Sequence, residues 1–117
     1  MSDQTRSHGI GNGWQQALRE GASQSTEASG EHLRCSIAVY QQGQASIPAP
    51  QPEGEEVATV LEGEFRIEAA GEQYELTPGE GIIIPPQAPR TWTCLSERGA
   101  LYRVVTRLDN LPEGVTP

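Results

Sequence analysis

The 117-residue chain has no lysine; all 8 of its basic side chains are arginine. That excludes Schiff-base chemistry on a side chain. Aromatic residues make up only 5%. Histidines are limited to His8 and His32, and cysteines to Cys35 and Cys94. Two cysteines so far apart, with no secretion signal, are expected to be reduced and buried rather than bridged. Neither histidine has a ligand partner at useful spacing, so each reads as solvated. No apolar run reaches the length of a membrane span, and the N-terminus lacks a signal-peptide core. A cytoplasmic protein is the expectation. Basic charge is also scarce: the net charge is −8 and the pI about 4.6. Nucleic acid and anionic membrane surfaces are therefore excluded as partners, since both need clustered Lys and Arg.

What is abundant is turn chemistry. Thirteen glycines and nine prolines favour a turn-rich β fold over a helical bundle. The length fits one domain that can bury a core without disulfide or metal. Residues 1–31 are rich in Ser, Gly, Gln and Glu and read as an N-terminal arm. A short helix is expected from Gly13 to Glu20, with Asn12 as N-cap and Gly21 as the stop. Trp14 and Leu18 would share its face. The stretch Ala22–Glu31 reads as a flexible linker.

From Leu33 the pattern turns to period two. Strands are expected at Leu33–Val39, Val57–Leu61, Phe65–Ala69, Gln73–Leu76, Gly81–Ile84, Thr91–Leu95 and Leu101–Leu108. The connections are short and carry Gly or Pro, as in Glu62-Gly63 and Thr77-Pro78-Gly79. Such strands without intervening helices predict a small antiparallel barrel or sandwich over residues 32–110. Residues 111–117 read as a frayed tail.

Two segments carry a resemblance. Gly43–Gly63 and Gly79–Cys94 resemble the two sequence motifs of the cupin superfamily, and the likeness extends over Leu33 to Leu108. The first motif runs Gly, five residues, His-x-His, four residues, Glu, six residues, Gly. Here Gly43, Glu56 and Gly63 match, while the histidine positions hold Ala49 and Gln51. The second runs Gly, five residues, Pro-x-Gly, two residues, His, three residues, Asn. Gly79 and Pro85 match, whereas Gln87, Arg90 and Cys94 replace the rest. The resemblance implies an all-β, cupin-type jelly-roll β-barrel carrying the N-terminal arm and its short helix. It also implies a homodimer formed through the outer sheet face. "GIIIPP" (Gly81–Pro86) fits that, because both faces of its strand are apolar.

In metal-dependent cupins three histidines and the glutamate hold one divalent ion. Of those positions only Glu56 remains a good ligand, so neither metal nor other cofactor is expected. A guanidinium at Arg90 would stand where the metal stood and could pair with Glu56. One reading is a buried ion pair that merely plugs the barrel mouth. A second is a site for a small polar or anionic molecule, a sugar or carboxylate. Arg90 would hold the anion, Gln51 and Glu56 the hydroxyls or an amine, Trp92 a flat wall, and Tyr40 one end. The alternative is a small-molecule enzyme of the isomerase, lyase or dioxygenase type. It would be metal-free, with Glu56 as general base, or would hold an ion on Glu56, Gln51 and Glu62 or Glu64. Cys94 lacks a histidine to activate it as a nucleophile.

Overall fold

The computed structural model describes residues 15–16, 22–47, 49 and 53–108. Among these residues nine strands follow in order: β1 (Gln15–Gln16), β2 (Gln24–Ser29), β3 (Leu33–Gln41), β4 (Glu56–Glu62), β5 (Phe65–Ala69), β6 (Glu72–Leu76), β7 (Gly81–Ile84), β8 (Arg90–Cys94) and β9 (Arg98–Thr106). Every pairing is antiparallel. All seven expected strands are present, with ends shifted by a few residues at most.

The expected closed barrel is not what forms. The strands make a six-stranded sheet, β1-β2-β3-β9-β4-β7, and a separate three-stranded sheet, β6-β5-β8. β6 and β7 are consecutive in the chain yet each is an edge of a different sheet. The turn between them explains this. Gly79 donates to the Val60 carbonyl and Val60 donates to the Glu80 carbonyl, so the turn is pinned to β4. The chain thus crosses onto the large sheet before β7 begins, and β6 is left paired only with β5.

The N-terminal expectations also change. Gln15–Gln16 is extended and pairs with β2, so the helix expected over Gly13–Glu20 is overturned there. The edge of β2 offers backbone pairing, and such tertiary pairing overrides a marginal local helix signal. Trp14 and Leu18 lie outside the described residues. No α-helix occurs among the described residues. The stretch read as a linker contains β2, which pairs along its whole length with β3.

The core lies between the sheets. Phe65, Ile67 and Trp92 from the small sheet meet Ala58, Val60, Ile84 and Leu101 from the large one. Strict alternation drives this: on β4, Glu56, Ala58 and Val60 are buried while Val57 and Leu61 are exposed. On β8, Arg90, Trp92 and Cys94 face inward in the same way. Tyr40 and Trp92 each meet Phe65 edge-on, with centroids 5.6 Å and 6.3 Å away. Gly63 closes the β4–β5 turn at φ 77°, where a Cβ would stand 2.3 Å from the Arg98 carbonyl. No side chain larger than hydrogen fits there.

Candidate functional site

Glu56 begins β4 and its side chain is fully buried between the sheets. Two guanidinium groups hold it. Arg90, at the start of β8, donates from Nη1 to Oε1 at 3.0 Å. Arg103, in the middle of β9, donates from Nε to Oε2 at 2.6 Å and from Nη2 to Oε1 at 2.8 Å. The second pair is a bidentate fork, the strongest geometry open to arginine and a carboxylate.

Arg90 is fixed on its other sides by main-chain carbonyls. Nε donates to Ala88 at 2.9 Å, Nη1 also to Gly54 at 3.2 Å, and Nη2 to Pro85 at 3.1 Å. With 4% of its surface exposed, it works as an internal clamp between β4, β8 and the Pro85–Ala88 turn. Arg103 differs. It is mostly buried, 17% exposed at the side chain, and its Nη1 makes no hydrogen bond among the described residues. Burial alone would lower its pKa; the bonds and charge of Glu56, with Glu53 and Tyr40 nearby, offset that and raise it above the ordinary value. Its positive charge is therefore permanent. The chain of charges continues outward: Glu53 lies 3.8 Å from Arg103 and 2.6 Å from Arg34.

The expected site residues are placed as follows. Glu56 and Arg90 come together. Trp92 lies one pleat beyond Arg90 on the same inner face, completely buried, and its Nε1–H has no hydrogen-bond partner among the described residues. Tyr40 is buried at the end of β3 against Phe65. Gln51 lies outside the described residues, and Ala49 is exposed. Arg103 was missed because neither motif reaches it. A signal was present: period two along Leu101, Arg103 and Val105 puts a cation on an otherwise apolar inner face.

The donor set does not fit the family's divalent ion. The oxygens of Glu56 already accept three hydrogen bonds from two cations. No group of three or more His, Cys, Asp or Glu able to hold a metal occurs among the described residues. Glu62 faces solvent and pairs with Arg98 at 3.3 Å, far from a role beside Glu56. The motif's backbone nevertheless persists. Gln87 stands where the motif has glycine and keeps a left-handed φ of 67°, held by its N–H bond to the Glu53 carbonyl at 2.7 Å. The two thiols are free and lie on opposite faces, Cys94 inward and Cys35 outward.

The family model described as "Cupin domain" matches residues 36–106. Solved structures with the same fold include KdgF from Halomonas sp., 21% identical, TM-score 0.67, covering 84% of this chain and 92% of that one. An RmlC-like cupin from Shewanella frigidimarina NCIMB 400 is 20% identical, TM-score 0.70, covering 92% and 99%. The Cupin_2 domain of an XRE family transcriptional regulator from Enterobacter cloacae is 20% identical, TM-score 0.57, covering 63% and 80%. No curated protein matched. At these identities the structures share the fold alone. With the matched model spanning most of the chain, and with both motif frames intact around the replaced histidines, this chain belongs to the cupin superfamily.

Proposed function

We propose that this protein binds a small anionic or polyhydroxylated molecule between its two sheets, without metal. The observation that carries the reading is Arg103, which gives Glu56 only two of its three donor nitrogens. The Glu56 oxygens are taken, yet Arg103 Nη1 and the buried Trp92 Nε1–H are unpartnered among the described residues. A buried donor left unpaired costs about 1–3 kcal/mol. A carboxylate, phosphate or sugar hydroxyl supplies the missing acceptors. In this reading Arg103 takes the role first given to Arg90, whose hydrogen bonds are all internal.

The test is calorimetry and thermal unfolding with citrate, inorganic phosphate and glucuronate, in the presence of a chelator. At least one is expected to bind saturably and raise the melting temperature. Arg103→Met should weaken that binding about tenfold or more, the loss of one charge-assisted contact. If none binds, or if Arg103→Met binds equally well, the Arg–Glu–Arg cluster is a structural plug.

We also propose that the outer face of the large sheet is a homodimer interface. The register aligns Ile83, Val57, Val104 and Cys35 across four adjacent strands, and Ile83 is 66% exposed. Leu33 and Leu61 extend the apolar surface on the same face. Contiguous apolar surface of this kind favours a partner. Light scattering coupled to size exclusion should give twice the chain mass, and Val57→Glu should give the monomer mass. A monomeric parent protein contradicts the proposal.

A further inference from the structure

The unclosed seam between the sheets forms a cavity distinct from the Glu56 cluster. It measures about 390 Å³, within the range of small-ligand sites. Its floor is aliphatic: Ile67 and Ile84 are fully buried, and Leu76 and Ile82 partly so. Its rim is polar. Glu72 and Tyr74 of β6 stand exposed on one side, with the Tyr74 hydroxyl donating to Glu72 Oε1. Glu72 raises the Tyr74 pKa, first through that hydrogen bond and then through its charge, so the phenol stays a donor. Opposite them runs the free edge of β7. Val60 bonds to Glu80 across β4, so Ile82 and Ile84 bond β4 by alternation. Gly81 and Ile83 then turn both their N–H and carbonyl groups toward the seam.

A carboxylate, a tyrosine ring and edge carbonyls around an aliphatic floor are complementary to an ammonium on an apolar body. The edge N–H groups could serve an anion, but the Glu72 charge on the same rim repels one. We propose that the β6–β7 seam binds a small apolar primary amine, with the ammonium at Glu72 and the apolar body over Ile67 and Ile84. The site uses none of the Glu56 cluster, so it stands or falls independently of the anion site.

The experiment is a titration of the ¹⁵N-labelled full chain with tryptamine, and in parallel with indole-3-ethanol, its neutral counterpart. Saturable amide shifts at Tyr74, Leu76, Ile82 and Ile83 are expected with tryptamine. Glu72→Gln, an exposed substitution that leaves the core intact, should weaken tryptamine about tenfold and leave indole-3-ethanol unchanged. Arg103→Met should leave tryptamine binding unchanged, which separates this site from the anion site. Equal affinity for the two compounds, shifts centred instead on Trp92 and Arg103, or no saturable shift would each overturn the proposal.

Discussion

Glu56→Ala should destabilise the fold by about 3–5 kcal/mol, the range for breaking a buried ion pair by removing one partner. The size follows from what remains behind. Arg90 and Arg103 would both stay in the interior, the first anchored by three carbonyls and unable to swing out. Two like charges would then face each other across the volume the carboxylate had filled. Urea unfolding reads the loss directly. A loss below about 1 kcal/mol, the level of an exposed pair, would mean that the cluster is solvated rather than buried. The triple replacement Glu56→Leu, Arg90→Met and Arg103→Met supplies the control. Because it strands no charge, it should cost less than Glu56→Ala alone.

The second large effect is at Trp92. Trp92→Ala should cost about 3–5 kcal/mol, as for other large-to-small changes at fully buried aromatic positions. The indole packs edge-on against Phe65, which in turn meets Tyr40, so its loss opens the centre of the inter-sheet core. Trp92→Phe should cost far less. It keeps an aromatic body and removes an N–H that has no partner among the described residues. The pair of variants separates packing from recognition. If the indole N–H serves a ligand, Trp92→Phe stays near parental stability while losing ligand affinity. If both variants are equally unstable, indole volume alone explains the residue.

The sequence made the inner and outer faces legible wherever apolar and polar residues alternate. β5 and β8 follow that rule, which placed Trp92 inside; β4 does not, since Glu56 is buried while Val57 and Leu61 are exposed, and there the motif spacing placed the carboxylate. The rule also failed where the alternation is polar throughout. The segment QSTEAS has no apolar stripe, yet it is β2, with Ser25 buried against the sheet. Its burial comes from pairing with β3, a long-range contact that local composition does not encode. The helix expected around Gly13–Glu20 failed for the same reason: its cap and spacing signals are local, and the pairing of Gln15–Gln16 with β2 is not. Barrel closure was also beyond reach. Whether β6 meets β7 depends on how the Thr77–Glu80 turn is tied to Val60, not on either strand's own pattern.

The site was half legible. Motif spacing gave Glu56 and Arg90, and the carboxylate does meet that guanidinium. It could not give Arg103, which contributes the stronger, two-pronged contact from a strand outside both motifs. That shifts the chemistry. Arg90 ties the turn to the sheet, while Arg103 holds Glu56 with two donors and keeps a third without a hydrogen bond among the described residues. With the motif histidines replaced, two guanidinium groups serve as charge partners to the retained Glu56.

The central claim is that guanidinium groups, not a metal ion, neutralise Glu56. Elemental mass spectrometry of tag-free protein never exposed to a nickel column tests it most directly. Metal content far below one ion per chain, unchanged in Glu56→Gln, is the expected result. Near-stoichiometric zinc, iron, nickel or manganese that disappears in Glu56→Gln would contradict it.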